Sequence, residues 1–205
     1  MLIRATNPSL STSITPLHLD VTDEASIAAA ASFVGEHFGC LDVLINNAAV
    51  GGLTGGSLKE RMESTLATNV TGPALVSSAF RPLLLKSPSP RSLFISSGAG
   101  IASRASAMKA HRLPGGEPYC VSKAALNMLV VQEHLAYGDQ GLKVFAVSPG
   151  FVISNLRGED EDARNGWGKA EPGEASGLFN LEIVRGTWDE HAGKFISKDR
   201  GVQEW

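Results

Sequence analysis

The sequence predicts an α/β fold, a doubly wound parallel sheet with helices on both sides. Three observations lead there. Short apolar runs of strand length alternate with longer stretches of helical period. One of those runs, residues 41–45, is apolar at almost every position, as strands covered on both faces are. The polar residues able to do chemistry fall just after the runs, on the edge of a parallel sheet where ligands bind.

The elements follow in order. Leu17-His18-Leu19-Asp20-Val21 is expected as a first strand, and Thr22 or Asp23 then caps a helix with Ile27, Ala31, Val34 and Phe38 at helical intervals. Residues 41–45 form a second, apolar strand expected to be covered on both faces. A long periodic segment over 58–85 is interrupted by Gly72-Pro73. Residues 92–96 are a third strand, 118–137 a helix and 142–147 a fourth strand. Residues 175–185 then predict a helix and 194–197 a last short strand. Two stretches break the rhythm: 103–117, an irregular insertion with His111, Pro114 and Gly115-Gly116, and 157–174, with Glu159-Asp160-Glu161-Asp162. The second reads as a mobile charged segment, either a solvated loop or a substrate lid. The expected organisation is one domain over 1–205, with an insertion at 103–117 and a mobile substrate-loop segment at 155–174.

Composition excludes several functions. The chain has 205 residues, 43% hydrophobic and 19% charged, enough for one domain with a substantial core. A net charge of −3 with scattered Lys and Arg leaves no basic stripe for nucleic acid. The first twenty residues hold no apolar run long enough for a signal or a membrane span, so a cytoplasmic protein without membrane contact is expected. Cys40 and Cys120 fit reduced thiols. The five His show no paired ligand spacing, and no metal is expected.

Tyr119 and Lys123 are the most informative pair. Four residues apart on a helix, they share a face. A phenol has an ordinary pKa of about 10, and a nearby cation favours its ionised form, so such a pair is a candidate acid for exchanging a proton with a carbonyl oxygen. With two Tyr and eight Lys, chance would give this spacing in roughly 8% of such chains, so the surroundings must decide. After the predicted strands come Asp20-Val21, Asn46-Asn47-Ala48-Ala49, Ser96-Ser97-Gly98 and Ser148-Pro149-Gly150-Phe151-Val152-Ile153-Ser154. All of them land on one edge.

Those pieces, with Asn69 in Thr68-Asn69-Val70-Thr71-Gly72 and Tyr119-Cys120-Val121-Ser122-Lys123, resemble the short-chain dehydrogenase/reductase family, and within it the carbonyl-reductase-like members of fungal secondary metabolism. The motifs span residues 17 to about 155 in family order. The resemblance implies a Rossmann-like fold and an oxidoreductase that moves hydride between NADP(H) or NAD(H), with NADP(H) favoured, and a small-molecule carbonyl or secondary alcohol. A homodimer or homotetramer is implied too. It makes Tyr119 the proton donor or acceptor and Ser97 a hydrogen-bond donor to the substrate oxygen. Lys123 would lower the pKa of Tyr119 and bind the nicotinamide ribose. Asn69, at an irregularity in its helix, would hold a water that relays protons to Lys123. Asp20 would approach the adenine amine, Asn47 and Ala48 would line the cofactor's path, and Val152 and Ser154 would meet the carboxamide; Ser154 stands where the family usually has Thr.

Physical alternatives stand beside these roles. Asp20 also suits a helix N-terminus, Asn46 and Asn47 suit a turn, and Ser96 suits a bond to backbone. Ser97 is chosen over Ser96 by motif position alone. The main departure is the absence, before residue 17, of the family's opening strand and its Thr-Gly-x-x-x-Gly-x-Gly turn. A fold without its first strand-helix unit is therefore expected. Residues 2–5 would partly fill the gap, or the flanking strands would close up, or the chain is a fragment; residues 2–8 could instead be a remnant of the second family strand. Gly51-Gly52-Leu53-Thr54-Gly55-Gly56 and Gly98-Ala99-Gly100 are expected as flexible loops beside the site, not as substitutes for that turn. The alternative function is a non-redox or inactive relative, a binding partner or cofactor-independent catalyst, that has lost dinucleotide binding.

Overall fold

Strict alternation along the strands builds two apolar layers. Phe94, Val144, Ala146 and Phe195 point to one face of the sheet, and Leu93, Phe145, Val147 and Ile196 to the other. The computed structural model describes residues 14–52, 55–103, 116–166 and 169–205. Its strands are β1 (Val43–Asn46), β2 (Arg91–Ile95), β3 (Lys143–Ser148), β4 (Phe195–Ser197) and β5 (Gly201–Gln203). They lie side by side in chain order, β1 to β4 parallel and β5 antiparallel to β4.

Helices cover both layers. The described helices are α1 (Glu24–Phe38), α2 (Leu58–Leu66), α3 (Gly72–Leu84), α4 (Glu117–Tyr137), α5 (Glu161–Arg164) and α6 (Gly173–Val184). Leu84 of α3 and Leu126 and Val130 of α4 pack on the first face, while Phe179 and Ile183 of α6 pack on the second. Ile27 and Ala30 of α1 meet Val76, Phe80 and Leu83 of α3. Asp23, not Thr22, caps α1, accepting from the Ala25 amide at 3.0 Å. An ion pair between Arg81 and Glu133 joins α3 to α4, with the guanidinium 4.1 Å from the Tyr137 ring centre.

Four expectations are corrected. Residues 17–21 are not a strand, although Leu19 and Val21 keep the period of one. No described strand lies beside them to complete a ladder, and the flanking strands do not close up. β1 is consequently not covered on both faces, with Ile45 44% exposed. The break at Gly72-Pro73 is no gap: α2 runs through a π turn, Ala67–Thr71, straight into α3. The charged stretch after residue 157 carries α5 and a bridge between Val152 and Glu171. β5 is an addition that three residues of sequence gave no means to see. The expected filler at residues 2–5 and most of the 103–117 insertion lie outside the described residues.

Candidate active site

Each parallel strand delivers its next residues to the same edge. Ser96 and Ser97 follow β2, and the first turn of α4 brings Tyr119 beside them, with Lys123 one turn further on. The two serines separate cleanly. Ser96 is buried and donates to Asn127 Oδ1 at 2.5 Å, a bond that fixes β2 to α4. Ser97 accepts from the Ala99 amide at 3.2 Å and sits within hydrogen-bond reach of the Tyr119 phenol. Ser96 therefore bonds a side chain rather than backbone, and Ser97 faces the site.

Burial governs the titration of the pair. It pushes the Tyr119 phenol up to about 12, opposed by the Ser97 hydrogen bond and by the charge of Arg157. Lys123 is 2% exposed, and burial brings its ammonium down to about 8. The expected depression of the phenol by Lys123 is thus not the state of this site. The ammonium lies 5.6 Å from the ring centre and donates to the Ile95 carbonyl at 2.7 Å. Two of its three donors remain for another group.

Asn69 lies inside the π turn, where the Gly72 amide bonds back to the Ala67 carbonyl. Its side chain is fully buried. Oδ1 accepts from the Val50 amide at 2.8 Å, while Nδ2 donates to the Val50 carbonyl at 2.9 Å and to Ser122 Oγ at 3.0 Å. Asn69 is a clamp between the loop after β1 and α4. Both amide hydrogens are committed, which leaves one lone pair of Oδ1 for the expected water. Ser122, which accepts that bond and donates to the Tyr119 carbonyl at 2.8 Å, is a supporting residue missed in the sequence; its place beside Lys123 was the available signal.

The second glycine cluster, Gly98-Ala99-Gly100, is a structured turn. A Cβ on Gly100 would meet the backbone of Lys123 and Ala124 at 2.5 and 2.7 Å, so the 3₁₀ turn Gly98–Gly100 rests directly on α4. It is a spacer for α4 rather than a flexible loop. The cluster before α2 makes no phosphate cradle, because a capping box already fills that helix end: the Glu60 carboxylate accepts from the Ser57 amide at 2.7 Å.

The remaining predicted residues line the same edge. Asn47 and Ala48 are exposed and share an apolar groove of about 160 Å³ with Leu19, Val21, Ile45 and Phe80. Asp20, between two of those residues, accepts from the Thr22 amide at 2.9 Å, and this bond above all holds its carboxyl below the usual range. Val152 and Ser154 belong to the segment after β3, where Arg157 reaches the Val152 carbonyl at 2.9 Å. The residues present fit the nicotinamide and ribose of a dinucleotide, through the open donors of buried Lys123 beside Ser97 and Tyr119. Among the described residues nothing equivalent holds a pyrophosphate, and no group of three His, Cys, Asp or Glu is placed to hold a metal ion.

Comparison with known proteins agrees with this geometry. The profile of the short-chain dehydrogenase family matches residues 3–165. The chain belongs to that family. Membership makes it an oxidoreductase. A short-chain dehydrogenase/reductase of Talaromyces stipitatus, tropE, is 32% identical over 96% of this chain and 78% of its own length. Another, eupG of a Phoma species, is 33% identical over 97% and 79%. Among solved structures, NADPH-bound carbonyl reductase from chicken fatty liver superimposes with a TM-score of 0.81 at 29% identity, over all of this chain and 81% of that one. In this short-chain dehydrogenase, Tyr119 and Lys123 lie on α4 and Asn69 in the π turn before α3, bonded to Ser122 of the same α4. No helix among its described residues is long and apolar enough to cross a membrane.

Proposed function

We propose that this chain reduces a carbonyl of a small molecule with NADPH, or runs the reverse oxidation of a secondary alcohol, with Tyr119 as the acid. One observation carries the proposal: the buried Lys123 ammonium, with two free donors, lies 5.6 Å from the centre of the Tyr119 ring at the edge where Ser97 follows β2. NADPH is preferred over NADH because the 29%-identical carbonyl reductase is described with NADPH bound. When bound, the cofactor supplies hydride to the carbonyl carbon.

The chain's own groups then handle the oxygen. Ser97 donates a hydrogen bond to it as charge develops, and Tyr119, protonated at neutral pH, gives it the proton. Lys123, brought down to about 8, is poised to pass a proton toward the phenol at physiological pH. Asn69 keeps the loop carrying Asn47 and Ala48 docked on α4, and Val152 and Ser154 offer a wall for the carboxamide. Asp20 and the exposed Asn47 and Ala48 serve the adenosine half.

The test follows NADPH absorbance with a panel of aldehydes and ketones. Tyr119→Phe is expected to lower turnover about 10³-fold with the melting temperature unchanged, in line with the worth of a positioned acid. Equal turnover by wild type and Tyr119→Phe would overturn the assignment.

A further inference from the structure

The segment after β3 is gathered around one side chain. Arg157 Nε donates to the Ala163 carbonyl at 2.9 Å, and Nη2 donates to the Val152 carbonyl at 2.9 Å and the Arg164 carbonyl at 2.8 Å. Its guanidinium also lies 4.3 Å from the centre of the Phe151 ring. A planar fork can span three carbonyls in this way, whereas a lysine ammonium is a single point. The backbone closes the same segment at two further places: the Ser154 amide reaches the Arg164 carbonyl at 3.1 Å, and the Ile153 amide reaches Glu171 at 2.9 Å.

We propose that Arg157 is a positioning residue of this site: it fastens residues 151–164 into the wall that presents Val152 and Ser154. Its effect on turnover rests on the carbonyl reduction proposed above; the clasp itself does not. Two substitutions test it. Arg157→Lys keeps the charge and loses the fork, while Arg157→Gln loses both.

Hydrogen–deuterium exchange on the full chain reads the clasp without any turnover. Both variants are expected to exchange at the Ile153 and Ser154 amides about tenfold faster or more, with a cooperative melt retained. Protection equal to wild type in Arg157→Gln overturns the clasp. Steady-state kinetics with NADPH read the position: both variants should raise the KM for NADPH more than they lower kcat, and an unchanged KM in Arg157→Gln overturns the positioning role. A wild-type chain that does not oxidise NADPH refutes the carbonyl-reduction reading, whereas the exchange result stands by itself.

Discussion

Around β3 the strands pair on both sides and Val144, Phe145, Ala146 and Val147 are fully buried, whereas β1 pairs only with β2 among the described residues and leaves Ile45 44% exposed. The proposed proton chemistry sits on the first of these regions. Ser97 follows β2, and Tyr119 and Lys123 ride on α4, which packs against β2 and β3 through Leu126 and Val130. The residues proposed for the adenosine half, Asp20, Asn47 and Ala48, sit on the second and are exposed. The contrast teaches that the acid is rigidly preset while the dinucleotide's far end meets a loosely held flank. Substitutions on the two sides should therefore differ in kind as well as in size.

The largest expected effect is in the centre. Phe145→Ala removes a fully buried ring between Leu93, Phe179 and Ile183, and should cost about 3–5 kcal/mol in denaturant unfolding. A loss under about 1 kcal/mol would mean that the centre is as loose as the flank. Next come the neighbouring serines. Ser97→Ala should lower kcat about 10²-fold with stability intact, as removal of a donor to a developing oxyanion does. Ser96→Ala should do the reverse, sparing kcat and costing about 1–3 kcal/mol because Asn127 loses a buried partner. If Ser96→Ala is the slow variant, the two roles are exchanged.

Local signals made much of this legible. The helix expected over 118–137 is observed at Glu117–Tyr137, since Gly116 precedes it and its apolar period is unbroken. The strands of the centre were legible because each carries apolar residues on both faces. Residues 17–21 misled for a physical reason: a strand is defined by its neighbour, and Leu17, Leu19 and Val21 carry the pattern without a partner among the described residues. The interruption was expected at Gly72-Pro73 because proline is the visible breaker, yet the chain stays helical there and the irregularity is the π turn at Asn69, where the side chain can reach Val50 and Ser122 at once. Arg157 was invisible in the sequence because its three acceptors are backbone carbonyls, which any residue supplies.

Lys123 tests the centre by pH. Its pKa falls from 10.5 when unfolded to about 8 when folded, so between those values the unfolded chain binds more protons and stability rises with pH. Between pH 7.5 and 9.5 the gain should be about 2 kcal/mol, and Lys123→Met should abolish it. Tyr119 works in the opposite sense at higher pH: its phenol stays protonated when folded up to about 12, so its contribution is lost as pH climbs above 10.0. A wild-type curve flat from 7.5 to 9.5 would show that the ammonium is solvated in the cofactor-free protein.

The smallest effect belongs to Ile45, and it decides whether the comparison holds in solution. An isoleucine that is 44% exposed on a strand with one neighbour has already kept much of its surface in water, so Ile45→Thr removes little buried area and preserves the β-branched fit to a strand. The expected cost is under about 1 kcal/mol, several times less than Phe145→Ala. A cost of about 2 kcal/mol or more would require the side chain to be covered, and an apolar concavity beside it is the groove shared with Leu19, Val21 and Phe80. The same measurement repeated with saturating NADPH extends the argument. Asn47 and Ala48 follow β1 directly, so a dinucleotide held there stabilises the folded chain by mass action. Ile45→Thr should then weaken NADPH binding more than it weakens the fold, while Phe145→Ala should do the opposite.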